Sequence, residues 1–167
     1  IAAQAMRDAG CARVAILDVD YHHGNGTQDI FYARGDVFFA SVHGDPLTEY
    51  PFFLGHADER GVGKGAGCNL NLPLPAGTDA GAWLESLAVA LKSIEAFKPD
   101  ALVVSLGVDT FEGDPISHFK LKTSDYPRVG RAISALKLPT LFVMEGGYAV
   151  AEIGENVAGV LLGFERA

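Results

Sequence analysis

The alternation of short, β-branched apolar runs with helical stretches constrains the fold of this chain most strongly. One run, from Arg13 to Val19, is almost continuously apolar, as expected for a strand that is buried on both faces of a sheet. The other runs are Val37 to Val42, Ala101 to Leu106 and Thr140 to Met144. Strands that alternate with helices predict an α/β domain with a mostly parallel sheet and flanking helices.

Helical patterns lie between these runs. Asp79 to Phe97 carries apolar residues at three- and four-residue spacing on one stripe, and Thr78 or Asp79 is a suitable N-cap. Two further helices are predicted at Ser124 to Leu136 and Val150 to Phe164, and Ile1 to Ala9 has the pattern of a helix that ends at Gly10. Residues 43–68 have no clear periodicity, and so long an irregular segment in a compact domain is usually functional.

Size and charge exclude several classes of protein. The chain has 167 residues, the length of one domain, and no apolar stretch is long enough for a membrane-spanning helix. Its net charge of −8 disfavours nucleic acid as a partner and mildly favours cationic partners. Cys11 and Cys68 have no metal-binding or redox spacing, so we expect two free thiols in the reducing cytoplasm.

Polar side chains follow the predicted strands, at the edge where a parallel sheet binds its ligands. Asp20 and His22 stand two residues apart after the first strand, so in extended backbone they point the same way. Asp109 follows the third strand and can supply a third ligand to the same metal ion. Three protein ligands and one open position are typical of catalytic zinc.

Each of these residues also has a simpler interpretation. A single aspartate at a strand end usually forms a turn or caps a helix. The string D-x-D-x-H-H followed by G-N-G favours a metal, because packing Asp18, Asp20 and His22 together is costly without a cation. Tyr148 follows the glycine pair Gly146-Gly147 and could donate a hydrogen bond to a developing oxyanion, or could simply pack at a strand end.

Five motifs together resemble the histone deacetylase and acetylpolyamine amidohydrolase family. They occur in family order and cover almost the whole chain: DVDYHHGNGTQ at 18–28, SVHGDP at 41–46, GKGAGCNLNLPLPAGT at 63–78, SLGVDTFEGDP at 105–115 and MEGGYAVAEIGENV at 144–157. The segment FLGHADERG at 53–61 and the wording MEGGY are more similar to bacterial acetylpolyamine amidohydrolases than to eukaryotic histone deacetylases.

The resemblance implies an arginase–deacetylase fold, of which residues 1–167 form the C-terminal portion of a single domain. It implies one zinc ion per chain, and it gives Tyr148 the task of polarising the acetyl carbonyl together with zinc. The zinc ligands would be Asp20, His22 and Asp109, with Asn25 supporting an active-site histidine. A structural potassium ion would contact Asp18, Ser41 and the carbonyls of Asp20, His22 and Val42, and a second monovalent cation would bind carbonyls near Phe31, Arg34 and Val37. The substrate channel would be lined by Phe53 or Phe52, Ile116, Gly146 and Gly147.

The implied reaction is hydrolysis of a small acetylated amine, such as an acetylpolyamine or acetyl-lysine, to acetate and free amine. The family's general base belongs to a His-His pair upstream of Asp18, and no histidine here matches that pair. If these residues were the whole molecule, we would expect weak or absent activity, an exposed sheet edge and a homo-oligomer that covers it. A catalytically incomplete metal-binding fragment therefore remains an alternative, and an arginase-like ureohydrolase with two manganese ions is a third interpretation.

Overall fold

The computed structural model describes residues 1–166 and has one sheet of five parallel strands. The strands lie in the order β3-β2-β1-β4-β5, so β1 and β4 are central. Their bounds are β1 Val14–Asp18, β2 Val37–Gly44, β3 Asn69–Leu74, β4 Ala101–Leu106 and β5 Thr140–Met144. The prediction of an α/β fold with a mostly parallel sheet is confirmed.

Helices cover both faces of this sheet. Their bounds are α1 Ala2–Asp8, α2 Asn25–Phe31, α3 Ala80–Phe97, α4 Tyr126–Ser134 and α5 Ile153–Glu165, with short 3-10 turns at Gly63–Gly65 and Thr123–Asp125. Because side chains alternate along a strand, Ala15 and Leu17 pack into a large core with α3, α4 and α5, whereas Val14 and Ile16 pack into a smaller one with α1 and α2.

Helix α3 has the N-terminus that its sequence predicts. Asp79 is the N-cap, and its Oδ1 accepts a hydrogen bond of 3.0 Å from the Ala82 N–H. The stripe of Trp83, Leu87 and Leu91 is buried against the sheet. Helices α4 and α5 begin two and three residues later than predicted, because a 3-10 turn and a non-helical turn precede them.

Two elements were not predicted. Strand β3 alternates Asn69 and Asn71 with leucines, and both asparagines are buried, so its hydrophobic signal is weak although it pairs with β2 along its length. Helix α2 is only seven residues long, too short for a clear periodic pattern. Apart from the end of β2 and one 3-10 turn, residues 43–68 are irregular, as predicted.

The fold brings the carboxyl ends of β1, β4 and β5 together on one edge of the sheet. All strands are parallel, and Asp18, Ser105 and Val143 lie side by side in register across these three strands. The segments that follow them, residues 19–24, 107–118 and 145–150, therefore meet above the same edge. Every helix within residues 1–166 is too short or too polar to cross a lipid bilayer.

Candidate metal centre

Two segments that follow neighbouring strands bring three ligand-type side chains together. Asp20, His22 and Asp109 each present one ligand atom, and these atoms all lie within 4.8 Å of one another. Nδ1 of His22 lies 3.1 Å from Oδ2 of Asp109 and 3.4 Å from Oδ1 of Asp20. The prediction that these side chains converge is therefore met by the geometry, and an imidazole with two carboxylates is a donor set suited to zinc.

Main-chain N–H groups hold both carboxylates in place. The Tyr21 N–H donates to Oδ1 of Asp109 at 2.8 Å, and the His22 N–H donates to Oδ1 of Asp20 at 2.8 Å. The Gly146 N–H donates to Oδ2 of Asp20, also at 2.8 Å. The segment after β5 thus contributes to the arrangement of ligands that come from β1 and β4.

The charges of the three groups depend on one another. Hydrogen bonds to Asp109 and Asp20 raise the pKa of His22 to about 10, so the imidazole carries a proton at neutral pH. Burial opposes the ionisation of Asp20, but hydrogen bonds from His22 and Gly146 outweigh it and lower its pKa. Burial raises the pKa of Asp109. The proton on His22 therefore offsets part of the negative charge of the two carboxyl groups, which a divalent cation would also offset.

Glycine at 146 is required by the close approach of the metal ligands. A Cβ at this position would lie 2.4 Å from Oδ2 of Asp20 and 2.7 Å from Oδ2 of Asp109, both far inside van der Waals contact. Gly147 has a φ of 150°, and a Cβ there would lie 2.8 Å from the side chain of Val108. These two glycines let the chain pass directly over the centre and present the next residue, Tyr148.

A groove leads to this centre from the surface. Asp20 and His22 form its floor, and Tyr148 stands at its side with about half of the side chain exposed. The remaining lining residues are Tyr50, Ile116, Met144, Glu145 and Gly146. Tyr148, Ile116 and Gly146 therefore lie where the sequence places them, next to the metal ligands.

Phe52 and Phe53 do not line this groove. They are 60% and 65% exposed, and the aromatic wall is formed by Tyr50, whose ring centroid lies 6.3 Å from that of His22. Tyr50 could not be singled out by sequence reasoning, because residues 43–68 lack a periodic signal and contain several aromatic residues. The prediction of Phe52 or Phe53 identified the correct loop, but Tyr50 is the residue of that loop that lines the groove.

Asp114 is a second residue that the sequence did not indicate. Its buried carboxylate accepts hydrogen bonds from the Tyr148 N–H at 2.8 Å and from the Ile116 N–H at 3.0 Å. It therefore fixes the main chain of two residues that line the groove. The motif G-D-P at 113–115 was visible, but nothing in its pattern distinguished this role from that of a turn.

The residues proposed for potassium lie below the metal centre. Asp18 and Ser41 are paired across β1 and β2, and both are almost fully buried, as is Val42. Burial, together with the negative charge of Asp20, raises the pKa of Asp18. Such a buried carboxylate, which no Lys, Arg or His contacts within residues 1–166, is a chemical fit for a monovalent cation.

Asn25 and the residues predicted for a second cation lie on α2, on the turn after it and at the start of β2. Asn25 is the first residue of α2, half-buried, and its main-chain N–H donates to the His23 carbonyl at 2.8 Å. Phe31 is the last residue of α2 and Arg34 lies on the turn after it, where the Arg34 N–H donates to the Phe31 carbonyl at 2.9 Å, and Val37 begins β2. The roles of these residues stay predictions.

Comparison with known proteins identifies the family. The family model for the histone deacetylase domain matches residues 1–164. This chain belongs to the histone deacetylase family. Acetylpolyamine amidohydrolase 2 of Pseudomonas aeruginosa is 64% identical over 165 residues, which are 99% of this chain and 48% of that protein. The acetylpolyamine amidohydrolase of Mycoplana ramosa is 61% identical over 163 residues, 98% of this chain and 48% of that protein.

Solved structures agree with this membership. The crystal structure of the acetylpolyamine aminohydrolase from Burkholderia pseudomallei superposes with a TM-score of 0.95 at 49% identity, and it covers 98% of this chain and 47% of that one. The fold and the resemblance predicted from the motifs are thus confirmed. The chain spans about half the length of the curated relatives that it matches.

Proposed function

We propose that these residues carry the metal ligands and the carbonyl-binding tyrosine of a zinc-dependent deacetylase that acts on acetylated amines. In this reaction water adds to the acetamide carbonyl, the C–N bond breaks, and acetate and a free amine leave. The observation that carries the proposal is the convergence of Asp20, His22 and Asp109 from two strand ends, with Asp20 and His22 lining a groove. The names of the relatives support an acetylated polyamine as substrate.

The donor set supports zinc and a single ion. When bound, zinc would act as a Lewis acid toward the carbonyl and lower the pKa of water. Two carboxylates balance the charge of a divalent ion, and His22 must lose its proton to become a ligand, so binding releases a proton. Among residues 1–166, only this one cluster of three ligand residues is close enough to hold a metal, which disfavours the two-manganese centre of an arginase-like enzyme.

Tyr148 is placed to bind the carbonyl oxygen. Burial and the negative charges of Asp20 and Asp109 raise the pKa of its phenol, so the hydroxyl keeps its proton and can donate a hydrogen bond. Asp114 holds the main chain of Tyr148 through the bond to its N–H. Tyr50 and Ile116 flank the path by which an extended amine arm would enter the groove.

Further parts of the proposal concern ions, partners and location. We place potassium at Asp18, Ser41 and the Val42 carbonyl, supported by the burial of the Asp18 carboxyl group, which no basic side chain within residues 1–166 contacts. The net charge of −8 supports a cationic amine as substrate and opposes nucleic acid. Cys11 and Cys68 are both free thiols, which supports the cytoplasm. The apolar residues exposed on β5 support a homo-oligomer.

A chimera tests the proposed reaction. Residues 1–167 replace their matching stretch in the Mycoplana ramosa acetylpolyamine amidohydrolase, and hydrolysis of a mono-acetylated diamine is measured after zinc loading. We expect turnover, and we expect Tyr148→Phe in the chimera to lower kcat by roughly 100-fold or more while zinc stays bound, because a hydrogen bond to the developing oxyanion is lost. Tyr50→Phe is a matched control, since it removes the hydroxyl of the other tyrosine among the residues that line the groove.

The same assay on the chain alone addresses the alternative of a metal-binding fragment. No histidine pair matching the family's general base occurs in these residues, and this favours zinc binding without turnover. A folded, zinc-loaded chimera that fails to hydrolyse the acetylated diamine would overturn the proposed function. Turnover that Tyr148→Phe leaves unchanged would remove this tyrosine from the mechanism.

A further inference from the structure

Three side chains from separate segments meet at the outer side of the groove, and we name them the Tyr21–Glu49–His118 cluster. Nδ1 of His118 lies 3.1 Å from Oε1 of Glu49 and 3.4 Å from the Tyr21 hydroxyl. Burial and the nearby Glu49 carboxylate raise the pKa of the Tyr21 phenol. Because a carboxylate only accepts, the imidazole N–H of His118 donates to Glu49.

The cluster connects the two walls of the groove. Glu49 directly precedes Tyr50, which forms the aromatic wall. His118 follows two residues after Ile116, which forms the aliphatic wall. The Glu49–His118 pair therefore joins two loops that are 69 residues apart in the sequence. Neither wall residue has a hydrogen bond to the other wall among those found in residues 1–166, so the neighbouring pair is the polar link between them.

Tyr21 gives this link a rigid base. It stands between the metal ligands Asp20 and His22, and its side chain is fully buried. Its ring packs edge-on against Phe119, with centroids 4.6 Å apart. Gly44 closes the other side: a Cβ there would lie 2.9 Å from the Tyr21 ring and 3.0 Å from Cγ of Glu49. The Glu49–His118 contact is thus anchored to the same segment that carries Asp20 and His22.

A contribution to fold stability does not explain why Glu49 and His118 are paired. The side chain of His118 is 63% exposed, and an ion pair so open to water contributes little to the free energy of unfolding. The effect of the Glu49–His118 contact should instead appear in the position of the loops. No residue of the cluster lies among those that line the groove, so the cluster acts through Tyr50 and Ile116.

We propose that Glu49 and His118 are positioning residues that hold the two walls of the groove at a fixed separation, so that it admits an unbranched amine arm and rejects a branched one. This rests on the proposed function, because it concerns the selection of substrate by the same groove. The determinant of selectivity is then a contact outside the groove.

Kinetics on the zinc-loaded chimera described above, which serves as the parent protein, test the selectivity. The two substrates are a mono-acetylated unbranched diamine and its analogue with a methyl group on the carbon next to the acetamide nitrogen. In Glu49→Ala and in His118→Ala, we expect the kcat/KM ratio of unbranched to branched substrate to fall about 10-fold, since a fixed wall no longer excludes the methyl group. Glu49→Gln keeps an acceptor and should retain most of the selectivity. Asp58→Asn removes a charge from the same loop, where Asp58 is exposed, and should behave as the parent.

Amide hydrogen exchange tests the link without any need for turnover. Glu49→Ala should accelerate exchange in residues 115–119, His118→Ala should accelerate it in residues 46–52, and the double variant should add nothing further. Urea midpoints equal to the parent's would exclude general unfolding. Folded single variants that show no such reciprocal effect would overturn the proposal, as would faster exchange with an unchanged substrate ratio. Absence of turnover in the parent would instead count against the proposed function, while exchange still decides the link.

Discussion

Asp109 is the candidate ligand whose side chain is buried and has a contact at both carboxylate oxygens. Its side chain is fully buried, one oxygen accepts the Tyr21 N–H, and the other faces His22. It is also the only one of the three ligands that follows β4 rather than β1. The metal centre therefore depends on this residue to join two parts of the sheet.

We predict that Asp109→Ala abolishes stoichiometric zinc binding. The two ligands that remain, Asp20 and His22, rarely suffice to retain the ion. Zinc content after dialysis, measured by atomic emission, checks this. Asp125→Ala removes a partly buried carboxylate at the start of α4 and should keep one ion per chain. A full zinc complement in the Asp109 variant would remove this residue from the ligand set.

His43 makes stability depend on pH. It is fully buried, its imidazole lies 2.7 Å from the Ser41 hydroxyl and 2.9 Å from the Gly55 carbonyl, and burial lowers its pKa to about 3. Only the unfolded chain then takes up a proton as the pH falls below about 6.5. The stabilisation is complete above that pH and is lost progressively as the pH falls toward 3.

We therefore predict that His43 contributes a loss of up to about 3 kcal/mol to the free energy of unfolding between pH 6.5 and pH 4. In His43→Gln the slope against pH should be smaller, although the variant is less stable at every pH. Urea denaturation at a series of pH values provides the measurement. Equal slopes in the parent and in His43→Gln would contradict the assignment.

At the scale of elements, α3 is the helix whose formation depends most on its own local sequence. Its apolar stripe is buried on β1, β2 and β3, and its first turn is closed by the Asp79 cap. The exposed position of Asp79 means that the cap acts through one hydrogen bond rather than through packing.

We predict that Asp79→Ala lowers the free energy of unfolding by about 1 kcal/mol, because the Ala82 N–H loses its acceptor. The shift of the urea midpoint measures it. Asp79→Ser restores an oxygen at the cap and should recover most of the loss. An unchanged midpoint in the alanine variant would mean that water replaces the cap at no cost.

At the scale of the whole molecule, β5 differs from the other strands. It pairs with β4 on one side only, and Leu141 and Met144 are 43% and 47% exposed, whereas β1 and β2 are buried throughout. An edge strand with exposed apolar side chains is a site where another chain can associate. The surface beside β5 is thus the part of this molecule most open to self-association.

We predict that the 167-residue chain self-associates through this surface and that Leu141→Lys shifts it toward the monomer. A lysine on an edge strand disfavours pairing because its charge must be desolvated. Sedimentation velocity over a range of concentrations measures the distribution. Val89→Lys is a matched control, since Val89 is 50% exposed but lies on α3. A parent chain that stays monomeric at all concentrations would contradict the prediction.

The sequence alone determined the class of fold, and it predicted the three side chains that meet at the candidate metal centre. Continuous apolar runs require strands buried on both faces, and the two-residue spacing of Asp20 and His22 sets their common direction. A parallel sheet then brings Asp109 to the same edge.

Only the tertiary structure decided which side chains complete the site. Strand β3 is stabilised in part by Asn69 and Asn71, which donate to the side chain of Gln28 on α2, a partner more than 40 residues away. Tyr50 rather than Phe52 faces the metal centre because irregular backbone has no period that assigns faces. Such roles arise from contacts between segments remote in sequence, and those contacts exist only after the chain has packed.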